Sequence, residues 1–188
     1  TNTMSNASPP PAPDKVVYYP ISGDGNDETS GRLFVWGNAT AANVILFCAG
    51  YPDDQGSFSA FAQELSKEAD CLCGVACLIG YDDYSERPYT SYKQQGYTFD
   101  EMTLSLRAAA KALKEDCSTN PTAQFVTIFH DWGSCIGAWY TNRAFEEKDA
   151  LVSPDKIVYF DVLPIRSHPK DVNVIMPSKK AMRHTILE

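Results

Sequence analysis

Phe125-Val126-Thr127-Ile128-Phe129-His130 runs directly into Asp131-Trp132-Gly133-Ser134, and this junction decides the fold. The first six residues are largely aromatic and β-branched, the pattern of a buried strand. From Gly133 to Glu146 the pattern is helical, with Gly133, Ser134, Gly137 and Ala138 keeping its start small. Almost nothing separates the two regimes, so the chain must reverse in a sharp turn with Asp131 at its apex. The glycine two residues on lets the helix approach the sheet closely. A carboxylate at that apex stands over a helix N-terminus, whose dipole favours an anion. The plainer alternative makes Asp131 a helix N-cap.

The same alternation of strand and helix extends in both directions. Upstream, Lys15–Ser22, Gly31–Gly37, Asn43–Cys48 and Gly74–Tyr81 read as strands, with a turn at Gly23–Asn26. Ser57–Ala69 places Phe58, Phe61, Ala62 and Leu65 at helical spacing, with Ser57 as N-cap. Thr98–Lys114 is the clearest helix, opened by a Thr98/Glu101 capping box and faced by Met102, Leu104, Leu106, Ala109, Ala110 and Leu113. Tyr84–Gln95 is a polar, aromatic loop. Downstream, Lys156–Leu163 is a last strand and Pro177–Ile186 the start of a helix. Two leading strands followed by repeating strand–helix units predict an α/β fold with a mostly parallel, twisted sheet and helices on both faces. In such sheets chemistry gathers at the carboxyl ends of strands. Residues 1–14 form a Pro/Ser-rich tail, 15–164 the core, and 165–188 an extension.

Composition limits the function classes. The 188 residues are 44% hydrophobic with a net charge of -8. That suits one globular core and disfavours phosphate backbones and anionic membrane surfaces, so no nucleic acid is expected. No run reaches the roughly 18 apolar residues of a membrane span. Cys71, Cys73 and Cys77 lack the paired Cys-x2-Cys spacing of a zinc site and read as buried thiols. No metal or other cofactor is expected. Asn6-Ala7-Ser8 and Asn38-Ala39-Thr40 are glycosylation sequons only in a secreted protein. Without a signal peptide in the sequence, a soluble protein of the cytoplasm or an organelle interior is expected rather than a secreted one.

At the apex, Asp131 has the strand–turn–helix setting of a nucleophile elbow. Trp132 adds an indole N–H, a single donor suited to a leaving group. His130-Asp131-Trp132-Gly133 resembles the nucleophile motif of the epoxide hydrolase and haloalkane dehalogenase group of α/β-hydrolases. Cys48-Ala49-Gly50-Tyr51-Pro52 is similar to that family's oxyanion loop. Gly96-Tyr97-Thr98-Phe99-Asp100 resembles the turn opening the helix before the nucleophile strand, and Ile157-Val158-Tyr159-Phe160-Asp161 the sixth strand. The likeness covers about residues 15–164, the front half of such an enzyme. It implies that Asp131 attacks carbon to form an alkyl ester. It implies that the backbone N–H groups of Tyr51 and Trp132 form the oxyanion hole, and that Asp161 orients a catalytic histidine. The alternative for Asp161 is a turn or helix cap.

The sequence departs from the family in four places. Ala49 stands where the family has His. Tyr51 replaces the halide-binding Asn of many dehalogenases and sits closer to epoxide hydrolases. Phe129, two residues before the nucleophile, replaces a small residue and predicts a looser turn. The family's cap, last strands and catalytic His lie beyond the matched region, and none of His130, His168 or His184 corresponds to that His. Two expectations follow. One is a hydrolase-derived, non-catalytic accessory or structural subunit of a larger assembly. Protein partners would then cover the apolar Ile157–Leu163 edge and the N-terminal tail. The other is an incomplete chain of an epoxide hydrolase or haloalkane dehalogenase-like enzyme using Asp131. A binding module that retains the pocket without chemistry is a third.

Overall fold

The computed structural model describes residues 9–20, 30–51, 53–81, 97–160 and 175–176. Six strands form one sheet: β1 (Lys15–Pro20), β2 (Ser30–Gly37), β3 (Asn43–Cys48), β4 (Cys71–Ala76), β6 (Gln124–His130) and β7 (Lys156–Phe160). Their order is β1-β2-β4-β3-β6-β7. The two β2 pairings are antiparallel, and β4/β3, β3/β6 and β6/β7 are parallel. This is the α/β architecture the alternation predicts. The central β3 has its last five residues fully buried, because helices cover both faces.

Those helices are α1 (Gly56–Glu68), α2 (Phe99–Ala112) and α3 (Trp132–Glu146). On one face Ala62, Phe58 and Leu65 of α1 pack against Phe34, Trp36, Ile45, Phe47 and Val75. On the other, α2 and α3 bury Met102, Leu106, Ala109, Ile136, Trp139 and Tyr140 against Leu33, Val44, Leu46 and Phe129. Cys71, Cys73 and Cys77 are buried thiols outside any disulfide. Burial pushes the Cys73 thiol up to about 12, which keeps it protonated at neutral pH.

Several boundaries differ from the sequence reading, each for a local reason. β4 runs Cys71–Ala76 rather than 74–81, because β3 ends at Cys48, in register with Ala76. α1 begins at Gly56, not after a Ser57 cap: Asp54 Oδ1 accepts the Gly56 N–H at 2.9 Å, and Ser57 lies inside the helix. The Thr98/Glu101 capping box forms as read, with Thr98 N–H on Glu101 Oε2 at 2.9 Å. Leu104 is only half-buried, whereas Thr103 and Ser105 turn inward. α2 then passes into a π-helical turn, Leu113–Cys117, closed by the Ser118 N–H on the Leu113 carbonyl at 3.1 Å. A two-stranded sheet was not foreseen. β5 (Tyr97–Thr98) pairs antiparallel with β8 (Ile175–Met176) and ties a late segment to the start of α2.

The described end of the tail is held by the domain itself. Trp36 Nε1–H donates to the Ala12 carbonyl at 2.9 Å, and the Gly37 N–H donates to Asp14 Oδ2 at 2.9 Å. At the other edge β7 is not buried on both faces: Val158 and Phe160 are exposed, and Ile157 and Tyr159 pack on the core. Residues 161–163 of the predicted strand, the loop 84–95 and the helix 177–186 lie outside the described residues.

α2 and α3 are also joined by charge. Arg107 bonds both Glu147 and Asp149, and Arg143 reaches Asp100 at 2.9 Å and Glu147 at 3.0 Å. The Arg107 guanidinium beside Asp149 holds that carboxyl below its usual value, and Arg143 does the same, first, for Glu147. Lowered folded-state values stabilise the protein fully above the ordinary carboxylate range. That contribution disappears as pH falls through this range to the lower folded values. Arg107→Ala is therefore expected to lower Tm by roughly 1–3 °C at pH 7. In thermal melts the gap between variant and wild type should narrow steadily as pH falls through and below the ordinary carboxylate range.

Candidate active site

The strand-to-helix junction is as sharp as the sequence requires. β6 ends at His130, α3 begins at Trp132, and Asp131 between them has φ +52° and ψ -130°. Such a conformation costs a non-glycine residue of order 1–3 kcal/mol and persists only where its surroundings enforce it. One enforcing bond is local and one comes from the neighbouring strand. The Ser134 N–H donates to the Asp131 carbonyl at 2.8 Å, and the Asp131 N–H points at the Phe160 carbonyl of β7 at 3.4 Å.

The Asp131 side chain does not cap α3. Its Oδ2 accepts instead the backbone N–H of Tyr51 at 3.0 Å, from the loop after β3. Trp132 N and the same carboxylate both face Gly50. A methyl on Gly50 would fall 2.3 Å from Asp131 Oδ2 and 2.5 Å from Trp132 N. The loop thus approaches the turn with no room for a side chain at 50. Gly133 does the same from the helix side, where a Cβ would lie 2.6 Å from the Cys48 carbonyl oxygen and 2.7 Å from that of Ala49. The structure brings Asp131, Tyr51 and Trp132 together. Asp161 lies outside the described residues.

Aromatic rings wall the site. The Trp132 ring leans on Phe99 at 5.8 Å, and Phe99 packs tilted against Trp139 at 4.6 Å. Tyr51 meets Tyr81 edge-on at 5.4 Å. Phe129 does not loosen the turn: its ring fills the space over Gly137, where a Cβ would lie 2.4 Å away. A large residue on the strand is matched by a missing side chain on the helix. The neighbouring thiol of Cys48 is fully buried and pushed up to about 12, so it offers no competing nucleophile. Among the described residues no cluster of three His, Cys, Asp or Glu is arranged to hold a metal ion. Nor is any described helix long and apolar enough to cross a membrane.

No protein-family model matches the chain, and no curated protein matches it either. Solved structures do. An α/β hydrolase from Novosphingobium aromaticivorans superposes with a TM-score of 0.57 at 16% identity, over 81% of this chain and 45% of that one. The carboxylesterase EstE1 from a metagenomic library gives 0.56 at 17% identity, over 81% and 48%. An epoxide hydrolase from an endophytic Streptomyces gives 0.55 at 18%, over 84% and 40%. The chain has the α/β-hydrolase fold. It spans less than half the length of each of these proteins.

Within the α/β-hydrolase fold the strained residue is open to a direct test. Asp131→Gly and Asp131→Ala both remove the carboxylate, but only glycine adopts φ +52° without cost. Urea unfolding is expected to show the glycine variant more stable than the alanine variant by about 1–2 kcal/mol.

Sequence reasoning anticipated the close approach at Gly133 but missed the one at Gly50. It also missed a neighbouring pair: His130 Nδ1 lies 3.9 Å from Asp53 Oδ2. Gly50 sits inside the quoted loop motif, so the motif carried the signal without its steric reason.

Proposed function

We propose that the chain carries the nucleophile half of a hydrolase acting on an electrophilic saturated carbon, in an epoxide or a carbon–halogen bond. The observation that carries this reading is the Asp131 carboxylate. It is not spent on capping α3, and it rests on the Tyr51 N–H at the apex of a strained turn. One oxygen is thereby fixed and the other left to attack. A bond forms from that oxygen to carbon, and the carbon–oxygen bond of the epoxide or the carbon–halogen bond breaks. The halide leaves as an anion, or the alkoxide takes a proton from solvent. When water later adds to the ester carbonyl, negative charge develops on Oδ2, where the Tyr51 amide stands. The Trp132 amide, which faces Gly50 as Oδ2 does, would be the second donor. Activating that water requires a base. His130, the one histidine among the described residues, is turned to Phe58 of α1 and to Asp53.

Acid-quenched mixing with a terminal aryl epoxide or a 1-bromoalkane, followed by intact and peptide mass spectrometry, tests the reading. The expected product is one added alkyl group on the peptide bearing Asp131. Its rate of formation should fall by more than about 10³-fold in Asp131→Asn. A folded wild-type protein with no adduct overturns the reading. That result would favour a hydrolase-derived accessory subunit, for which the exposed Val158 and Phe160 of β7 provide an apolar edge.

A further inference from the structure

We infer that residues 9–15 are a polyproline II ligand, displayed to a protein module of the SH3 type, whose aromatic-lined groove ends in an acidic pocket. This stands apart from the reading of Asp131. The run is Pro9-Pro10-Pro11-Ala12-Pro13-Asp14-Lys15. Each proline ring fixes its own φ at about −65°. Each also pushes the residue before it out of the helical region, so Pro9, Pro10 and Ala12 are extended on that count too. The run is therefore polyproline II before it meets any partner, with about three residues per turn. Residues three apart share an edge. Pro9 with Ala12 makes one edge, Pro10 with Pro13 the second, and Pro11 with Asp14 the third.

The domain holds the third edge. The Asp14 carboxylate accepts the Gly37 N–H at 2.9 Å, and Pro11 is half-buried. The backbone is pinned as well: the Ala12 carbonyl accepts the Trp36 indole N–H at 2.9 Å, and the Asp14 N–H donates to the Val35 carbonyl at 2.9 Å. On the other two edges Pro9, Pro10 and Ala12 are exposed and Pro13 is half-buried. Gly56 and Ala60 keep the facing side of α1 small, and an open groove of about 520 Å³ remains between that helix and Pro9–Pro11. Grooves that read such segments take prolines three apart between aromatic rings, here Pro10 and Pro13. The chain bends at Asp14, and Lys15 follows, exposed, two residues beyond Pro13. Its Nζ rests on the Asp116 carbonyl at 3.2 Å, a neutral acceptor that a partner's carboxylate replaces with a stronger, charge-assisted one. That lysine selects a groove with an acidic end.

Fluorescence titration of the full chain against a panel of recombinant SH3 domains, chosen for binding peptides of the Pro-x-x-Pro-x-Lys pattern, tests this. A synthetic peptide of residues 9–16 is titrated beside it. At least one domain is expected to bind the chain about 3- to 10-fold more tightly than the peptide, because the run in the chain is already ordered. Pro10→Ala and Lys15→Ala should each weaken that complex by about 5- to 20-fold with unchanged thermal melts. Asp14→Ala releases the third edge from Gly37 and is expected to bring the chain down toward the peptide, while the same change in the peptide has little effect. A chain that no domain binds, or that binds regardless of Pro10 and Lys15, overturns the ligand. A chain that binds more weakly than its own peptide overturns the display, since the domain would then be hiding the run.

Discussion

Ester formation at Asp131 is expected to fall by about 100-fold or more when Gly50 is replaced by alanine. The added methyl would lie 2.3 Å from the nucleophile oxygen and 2.5 Å from Trp132 N, well inside contact distance. Neither neighbour can swing aside freely, and Asp131 Cβ would lie 2.7 Å away as well. One is the carboxylate itself and the other is backbone at the first turn of α3. The loop must retreat, and the Tyr51 N–H loses its 3.0 Å bond to Oδ2. Global stability should change much less than the rate, because the retreat is confined to the loop, which is partly exposed from Tyr51 onward. Single-turnover adduct kinetics beside a urea melt separates the two effects. Equal losses in both would mean that Gly50 serves the core rather than the site.

Gly133→Ala is expected to do the reverse, with stability taking the larger loss. Its methyl would face the carbonyl oxygens of Cys48 and Ala49 at 2.6 and 2.7 Å, and these belong to the central strand and the residue after it. α3 must lift from the sheet, and Ile136, Trp139 and Tyr140 are fully buried on that helix. Forced separation of a packed helix costs about 2–4 kcal/mol. For a chain of this size that corresponds to a drop in Tm of roughly 5–15 °C. A melt within a degree of the wild type would show that α3 is not held where the structure has it.

The architecture was legible in the sequence because both of its periodicities are strong. The apolar runs at 43–48 and 125–130 and the helical pattern after Thr98 leave little choice of element. The position of Asp131 was legible because nothing separates its strand from its helix. What escaped depends on contacts distant in sequence or too short to leave a pattern. β5 and β8 are two residues each, too few for any alternation to register. The start of α1 was misplaced because Asp54, a side chain outside the helix, supplies the bond expected of Ser57. Gly50 and Phe129 were judged by their own segments. Their meaning lies in Asp131 and Gly137, which only the folded chain sets against them.

The bond between Tyr51 and Asp131 spans 80 residues of chain. β3 can pair with β4 early, but its other side must await β6. At ribosomal speeds of about 5–20 residues per second, that side of the most apolar strand stays open for roughly 4–16 s. Through that interval the nascent chain presents Val44 to Cys48 with one row of backbone groups unpaired. A fold laid out in this order depends on whatever shields that row during synthesis, and the site exists only once the wait is over.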